Sequence, residues 1–281
     1  MKKYYRALTI AGSDSGGGAG IQADLKTFCA LECYGMSVIT ALTAQNTKEV
    51  TGIFAVPPQF IGRQMDAVLG DIGTDAVKIG MLHSPEVIFT VARHLEKWQC
   101  ANIVLDPVMV TKSGDKLLQD DAVAALKQAL IPMADIITPN LPEASVLLGR
   151  DINTRADMPD AARDLAGLGS AHVLLKGGHL DDTGSSDLLF SADTGHILEL
   201  PGARVQTPNS HGTGCTLSSA VCAGLARGMD IPGAIKAAKT YITGALAAGA
   251  DFSIGQGHGP VHHFFNLWPD TKKTNPPGND S

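Results

Sequence analysis

Short runs of apolar and β-branched residues alternate with helical segments along most of this chain. The segment from Gly20 places Ile21, Leu25 and Phe28 on one helical face, and comparable segments follow most of the other runs. Runs of this kind are typical of strands that are covered on both faces. The alternation predicts an α/β fold in which helices flank both faces of a mostly parallel sheet. The runs are RALTIAG, MSVITALTAQN, DAVKIGM, ANIVLDPVM, ADIITPN and HVLLKGGH.

The last third of the chain departs from this alternation. DLLFSADTGHILEL predicts a hairpin that turns at Asp193-Thr194-Gly195. Two helices follow, over Gly214–Arg227 and about Pro232–Ala248. No internal repeat or linker interrupts residues 1–266, which we expect to form a single domain. The segment 267–281 is polar and rich in proline and glycine, and we expect it to be disordered.

Composition and charge exclude several classes of protein. A net charge of −6 over 281 residues argues against a nucleic-acid-binding surface and gives no sign of attraction to membranes. No apolar run approaches the roughly 20 residues that a membrane-spanning helix needs. The N-terminal apolar stretch leads into a glycine loop and lacks a cleavage site, so we interpret it as a strand. The 5 cysteines form no C-x-x-C pair, which favours the reducing cytoplasm.

Glycines crowd the loop that follows the first strand. Four of them lie within residues 16–20, more than one turn requires, and they permit a close approach of backbone to a ligand. The spacing matches neither G-x-G-x-x-G nor a Walker loop. A flexible connector is the alternative, but the position at a strand end favours a binding loop.

Gln45 ends an otherwise apolar strand. Its primary amide offers a donor and an acceptor in one plane, which match the edge of an aminopyrimidine. An ordinary polar residue at a strand end explains Gln45 equally well, and the sequence leaves both interpretations open.

Two further strand ends carry carboxylates. Asp106 ends VLD, and a lone acid there indicates a metal or phosphate site. Asn140 and Glu143 in TPNLPEA have the spacing of a helix capping box, with Pro142 in the first turn. Glu143 is also a candidate to order the water around Mg²⁺, and the two roles are compatible.

A second glycine-rich turn, HGTGC, leads into the helix after the hairpin. The N–H groups of Gly212, Thr213, Gly214 and Cys215 predict an anion hole that is reinforced by a helix N-terminus. A helix cap followed by a small buried cysteine is the alternative. The neighbouring His211 and the strand-end Lys176 favour the anion hole. An anion hole, a cation and two candidate metal carboxylates together indicate phosphoryl transfer.

These motifs, in this order, resemble the hydroxymethylpyrimidine/phosphomethylpyrimidine kinases of thiamine biosynthesis, from about Leu8 to Phe264. The resemblance implies a three-layer α/β/α, ribokinase-like fold and a dependence on ATP and Mg²⁺. It further implies phosphorylation of 4-amino-5-hydroxymethyl-2-methylpyrimidine to its monophosphate and then to the pyrophosphate, in a homodimer. The matching segments are GSDSGGGAGIQADLKTF, VITALTAQNT, KIGML, LDPVM…KSGDKLL, TPNLPEA, LLKGGH, HGTGCTLS and GPVHHF.

The resemblance also implies roles for individual residues. Gln45 reads the aminopyrimidine edge, and Met81 packs on the ring. Lys176 meets the ATP phosphates beside the anion hole of residues 212–215, and Asn140 and Glu143 form the N-x-x-E magnesium motif, with Asp106 a further candidate for the metal. The residues implied to surround the pyrimidine are Gly12, Ala19, Asp24, Gln45, Met81 and Val108. At position 16 this chain has a glycine, where relatives commonly have a second serine.

Two other functions remain open at this point. A pyridoxal or pyridoxine kinase of the same superfamily shares these glycine loops, although DPVMVTKSGDKLL and Gln45 favour the pyrimidine. A non-catalytic pyrimidine-binding regulator does not need metal carboxylates, so Asp106 and Glu143 argue against it.

Cys215 stands where most members of the superfamily have an aspartate. A thiol at a helix N-terminus has a lowered pKa, so we expect a thiolate to be accessible near neutral pH. In the second phosphorylation the acceptor is already a phosphate monoester of about −1.5 to −2 charge. A fixed carboxylate would repel that acceptor, whereas a thiol tolerates both acceptors.

Overall fold

Nine strands form one sheet in the part of the chain that the computed structural model describes, residues 2–109, 120–178 and 186–268. They are β1 (Tyr5–Asp14), β2 (Cys33–Gln45), β3 (Val50–Ala55), β4 (Ala76–Ile79), β5 (Ile103–Leu105), β6 (Ile136–Ile137), β7 (His172–Leu175), β8 (Asp187–Ser191) and β9 (His196–Leu200). Their order is β3-β2-β1-β4-β5-β6-β7-β8-β9. Neighbours from β2 to β7 are parallel, and antiparallel pairing is confined to β3 and the β8–β9 hairpin.

Helices cover both faces of this sheet. Within the described ranges they are α1 (Gly20–Ala30), α2 (Pro58–Asp71), α3 (Pro85–Lys97), α4 (Asp120–Ala125), α5 (Leu141–Leu148), α6 (Met158–Ala166), α7 (Thr213–Ala226) and α8 (Ile231–Gly249). Helices α2 to α6 contribute to one hydrophobic core, and α1, α7 and α8 to the core on the opposite face. The predicted three-layer α/β/α fold is confirmed.

Local signals in the sequence fix several of these boundaries. Ser84 caps α3 by accepting the Val87 N–H, and Pro85 occupies the first helical position, as predicted. The β8–β9 hairpin turns where the sequence predicted. Helix α7 begins at Thr213 and ends at Ala226, and α8 begins one residue before Pro232.

Other features differ from the prediction. Strand β2 begins at Cys33, and the antiparallel edge strand β3 follows it; β3 carries exposed residues at most positions and so lacks the pattern of a buried strand. The segment of the expected disordered tail from residue 269 onward lies outside the described residues. No helix in the described ranges is long and apolar enough to cross a membrane.

Candidate active site

The carboxyl ends of β1, β2 and β4 bring three of the predicted residues to one edge of the sheet. Gly12 lies near the end of β1, Gln45 is the last residue of β2, and Met81 follows β4 by two residues. The Met81 methyl packs on Gly12 so closely that a Cβ at Gly12 would lie 2.6 Å from it. The Thr40 hydroxyl donates to the Met81 carbonyl at 2.8 Å and fixes this segment. A side chain at position 12 would therefore displace the Met81 methyl.

The glycine loop wraps around a carboxylate of the protein itself. Asp14 accepts hydrogen bonds from the N–H groups of Gly16 at 2.8 Å, Gly18 at 3.0 Å and Ala19 at 2.8 Å. Burial raises the pKa of Asp14, but these bonds and the neighbouring His211 lower it below its ordinary value. Three N–H groups of the predicted binding loop are therefore already used within the protein.

The two glycine-rich turns touch each other. Gly212 has a φ of 77°, and a Cβ there would collide with the carbonyl oxygen of Gly18. A Cβ at Gly18 would in turn collide with the His211 ring. His211 Nε2 lies 2.9 Å from Asp14 Oδ2 and joins the turns. The glycines thus allow close packing of backbone on backbone between the two loops.

Gln45 is held with part of its amide free of protein partners. Its backbone N–H donates to Ser15 Oγ at 2.8 Å, and its Oε1 accepts from Thr43 Oγ1 at 3.1 Å. Its Nε2 lies 3.4 Å from His211 Nε2. Because a carboxylate can only accept, the His211 nitrogen that faces Asp14 carries a proton and cannot also accept from Gln45. The Gln45 amide therefore keeps donor capacity for a ligand.

The N-terminus of α7 has the geometry of an anion hole. Gly212 is its N-cap in the left-handed conformation, and the first N–H groups of a helix have no partner within the helix. Thr213 Oγ1 donates to the Ser210 carbonyl at 2.7 Å and secures the turn. Among the described residues, no protein acceptor faces the N–H groups of Gly214 and Cys215. These two donors and the helix dipole are available to an anion.

A buried ion pair borders this hole. Lys176 Nζ lies 3.0 Å from Asp106 Oδ1, which also accepts from Thr138 Oγ1 at 3.0 Å. Asp106 Oδ2 accepts from Ser218 Oγ of α7 at 3.2 Å. A Cβ at Gly214 would lie 3.6 Å from Lys176 Nζ and 3.7 Å from Asp106 Oδ2. The predicted cation and carboxylate thus stand beside the hole, and the carboxylate orients the cation. Val108, two residues on, donates its N–H to the Asp106 carbonyl.

Asn140 and Glu143 form the capping box at the start of α5. The Glu143 N–H donates to Asn140 Oδ1, and the Asn140 N–H donates to Glu143 Oε2, both at 2.8 Å. Burial raises the pKa of Glu143 to about 7, although the charge of Lys176 opposes this shift. The capping interpretation is confirmed, and it uses one of the two Glu143 oxygens.

The ionisation of Cys215 differs from the prediction. Burial raises the pKa of its thiol to about 11, and the carboxylates of Asp24 and Asp106 add to this effect. The charge of Lys78 and the Gly20 N–H act in the opposite direction but do not outweigh burial. The expected thiolate is therefore wrong for the free protein, in which the thiol is neutral near pH 7.

Asp24 also departs from its predicted role. It lies in the second turn of α1, with a fully buried side chain. Its oxygens accept from Thr9 Oγ1, Ser219 Oγ and Lys78 Nζ, at 2.6, 2.6 and 2.9–3.0 Å. A carboxylate that is enclosed in this way cannot contact a ring in the loop above it.

Four residues that build the site escaped the sequence analysis: Asp14, Lys78, Ser218 and Ser219. Asp14 stands two residues before the first loop glycine in GSDSGGG, and a strand-end acid close to glycines was a signal for it. Lys78 interrupts the apolar run DAVKIGM, and a lysine in a buried strand needs a partner. The two serines lie in an ordinary helical segment and gave no signal.

Comparison with known proteins shows the family to which this chain belongs. The family model for phosphomethylpyrimidine kinase matches residues 14–262. The chain belongs to this kinase family. It is 52% identical to the hydroxymethylpyrimidine/phosphomethylpyrimidine kinase of Rhizobium meliloti (strain 1021), over 94% of this chain and 98% of that protein. The enzyme of the same name from Escherichia coli (strain K12) is 47% identical, over 95% of this chain and 100% of that protein.

Two solved kinase structures are similar to this chain. An ADP complex of Bacillus subtilis pyridoxal kinase has a TM-score of 0.87 and 39% identity, covering 94% of this chain and 100% of that one. Phosphomethylpyrimidine kinase from Clostridium difficile 630 has a TM-score of 0.75 and 46% identity, covering 85% of this chain and 97% of that one. The predicted ribokinase-like fold is confirmed, and this kinase is a phosphotransferase that uses ATP.

Proposed function

We propose that this kinase transfers the γ-phosphoryl group of ATP to 4-amino-5-hydroxymethyl-2-methylpyrimidine and then to the resulting monophosphate. The observation that carries the proposal is the placement of the α7 anion hole between two halves of the site. Gln45 contacts His211, which directly precedes the turn, and Lys176 lies beside Gly214 within the turn. We assign the side of Gly12, Gln45 and Met81 to the acceptor, and the side of Lys176 and Glu143 to the ATP phosphates. An acceptor held on one side thus faces a phosphoryl group held on the other.

Each half supplies a different part of the chemistry. Gln45 donates to the aminopyrimidine edge, and the Met81 thioether covers the ring. The Gly214 and Cys215 N–H groups and Lys176 bind the phosphoryl oxygens, where negative charge is present throughout transfer. Phosphoryl transfer depends more on positioning and charge stabilisation than on deprotonation of the acceptor. A neutral Cys215 is compatible with that requirement in both steps.

The carboxylates fit a magnesium ion that is bound together with ATP. In the described residues, no three His, Cys, Asp or Glu side chains lie close enough to form a metal site of their own. Mg²⁺ in kinases is held by one or two carboxylates, substrate phosphates and water, and it neutralises phosphate charge. We propose that Glu143 holds the hydrated ion, with Asp106 nearby and Asn140 fixing Glu143 through the capping box.

Pyridoxal kinase activity is the second candidate. It is favoured by the similarity to the Bacillus subtilis pyridoxal kinase and to the Staphylococcus aureus enzyme, which has a TM-score of 0.86 and 34% identity. The free donors of Gln45 favour the aminopyrimidine as the principal acceptor, with vitamin B6 compounds as side substrates.

One assay tests both candidates. ATP consumption is measured with the hydroxymethylpyrimidine, its monophosphate and pyridoxine as acceptors, and product mass is read for one or two added phosphates. The proposal expects turnover of both pyrimidines at higher kcat/KM than pyridoxine. Higher kcat/KM for pyridoxine would make this protein a B6 kinase. Binding of the pyrimidine without turnover of any acceptor would make it a regulator.

We also propose that the protein forms a homodimer through the β2–β3 edge of the sheet. Apolar side chains of β2 and β3 are exposed at this edge: Leu42 45%, Ile53 50% and Phe54 67%. An uncovered apolar edge strand is a template for pairing with a second chain.

All five cysteines are free thiols, which supports a location in the reducing cytoplasm.

A further inference from the structure

A buried polar cluster lies directly beneath the acceptor side of the site. Asp24 is at its centre and receives hydrogen bonds from Lys78, Thr9 and Ser219. All four residues have a relative exposure of 0%. Burial alone lowers the pKa of Lys78, but the charge of Asp24 raises it above its ordinary value, so the lysine is charged. The cluster therefore contains a fully buried ion pair.

Each member of this cluster belongs to a different element, and each element carries part of the site a few residues away. In β1, Thr9 lies three residues before Gly12. Lys78 lies in β4, three residues before Met81. Ser219 lies one helical turn beyond Cys215 in α7. Asp24 lies one turn beyond Gly20, whose N–H is directed at the Cys215 sulfur. The cluster connects the four elements at the level just below the residues that face the acceptor.

Apolar packing alone does not explain this arrangement. Taking two charges out of water costs several kcal/mol for each ion, and well-packed apolar residues often stabilise a fold as much or more. Hydrogen bonds between these groups, however, fix distance and direction in a way that apolar contacts do not. Asp24 accepts from three elements and belongs to a fourth, so its bonds define the spacing of all four.

We propose that the Asp24–Lys78 pair positions the acceptor half of the site, by holding β1, β4, α1 and α7 at a fixed spacing beneath Gly12, Met81 and Cys215. Lys78 is thus a positioning residue that contacts neither substrate. The inference rests on the proposed function, because it concerns recognition of the pyrimidine. It predicts that loss of the pair affects the pyrimidine and leaves ATP recognition, on the opposite side of the hole, nearly unchanged.

Substitutions that remove both charges of the pair distinguish a positioning role from a contribution to stability. Lys78→Met alone leaves a buried, uncompensated carboxylate and is expected to destabilise the protein severely. The double variant Asp24→Asn/Lys78→Met removes both charges, keeps the Thr9 and Ser219 partners of position 24, and is expected to fold. The matched control is Arg6→Met, because Arg6 pairs with Asp75 at 2.6 Å and links the same two strands at their opposite ends.

The measurements are the melting temperature, the KM for each substrate, kcat, and calorimetric titration of the pyrimidine without ATP. For the double variant we expect the KM and the Kd of the pyrimidine to rise at least fivefold, while the KM of ATP stays within twofold. We expect Arg6→Met to lower the melting temperature without this split.

Three results would overturn the inference. A folded double variant could keep the parent's KM and Kd for the pyrimidine, its KM for ATP could rise as much as its KM for the pyrimidine, or Arg6→Met could show the same difference between the two substrates. A double variant that fails to fold is replaced by Ser219→Ala, which keeps both charges and removes one hydrogen bond to Asp24. The same split is expected at a smaller amplitude, and parent-like KM values in this variant would equally count against the inference. Failure of the parent enzyme to phosphorylate the pyrimidine would instead contradict the proposed function.

Discussion

Asp14 and His211 are separated by 197 residues in sequence, and the Asp14 carboxylate lies 2.9 Å from His211 Nε2. The same carboxylate accepts three N–H groups of the first glycine loop. His211 directly precedes the second glycine turn, at the anion hole. This one contact therefore fixes the position of the first glycine loop relative to the N-terminus of α7.

We expect Asp14→Asn to lower the melting temperature at pH 7, because an amide replaces a carboxylate that accepts four hydrogen bonds. The pKa of Asp14 is lowered in the folded protein, so its stabilising effect is present above the unfolded pKa of about 4 and is lost as pH falls through the folded value. The difference between variant and parent should therefore shrink below about pH 4. Thermal melts from pH 3 to pH 8 measure this, with Asp193→Asn as the exposed control. A difference that is independent of pH would contradict the prediction.

Gln45→Leu is expected to weaken pyrimidine binding by about 1–3 kcal/mol, since the ligand loses its polar partner. ATP affinity should be nearly unchanged. Calorimetric titration with each ligand measures both effects, and Gln256→Leu, at an exposed position, is the control. Equal losses for both ligands would argue for a general disturbance of the fold.

Glu143→Gln keeps the shape of the capping box and removes the charge. Because burial raises the folded pKa of Glu143 to about 7, its protonated form stabilises the fold at low pH, and this contribution is lost as pH rises from the unfolded value of about 4.3 through 7. The variant, which stays neutral, should match the parent near pH 4.5 and exceed it in stability at pH 8. Thermal melts without nucleotide test this. A variant that is less stable than the parent at pH 8 would show that the carboxylate stabilises α5 chiefly as a charged cap.

The activity of the same Glu143→Gln variant tests the magnesium proposal. Its deficit in kcat/KM should shrink as Mg²⁺ is raised, because a weakened ion site can be filled at higher concentration. A deficit that does not change with Mg²⁺ would assign Glu143 to capping alone.

We expect substitutions of Cys215 to affect the two phosphorylation steps differently. Because burial raises the pKa of the thiol to about 11, Cys215→Ser replaces one neutral group with another and should slow both steps by less than about tenfold, since the backbone donors remain. Cys215→Asp introduces a negative charge that repels the monophosphate, so the second step should slow more than the first. Single-turnover rates with each acceptor measure this. Equal rates on the monophosphate for Cys215→Asp and the parent would refute our explanation of the thiol.

The proposed dimer edge is tested by Ile53→Lys, which places a charge on β3. We expect sedimentation to show a monomer at concentrations where the parent is a dimer. Val146→Lys on α5 changes a side chain that is exposed to a similar extent, 51% against 50%, and should leave the mass unchanged. A monomeric parent would contradict the proposed homodimer directly.

Periodicity and strand-end chemistry predicted much of this molecule. The buried strands, the Ser84 cap and the capping box of Asn140 and Glu143 depend on neighbours within a few residues, and sequence spacing displays such neighbours. The placement of Lys176 beside the anion hole followed from the rule that parallel strands end at one edge of a sheet.

Contacts over long distances were not predictable in this way. Asp24 in the first helix was assigned to the ligand because nothing local revealed Ser219, which lies 195 residues away. The pKa of Cys215 was misjudged because the position at a helix N-terminus is visible in sequence, whereas the burial that outweighs it depends on the packing of α1 against α7.

Helix α7 is encoded in the last third of the chain, yet it packs on α1 and β1 from the first thirty residues. During synthesis, those early elements leave the ribosome long before the helix that covers them. Until then the face that later receives α7 carries the carboxylate of Asp24 and the ammonium of Lys78 instead of an unbroken apolar surface. We therefore expect the pair that is enclosed in the folded protein to remain hydrated on a chain that lacks α7, and to lower the tendency of such a chain to aggregate.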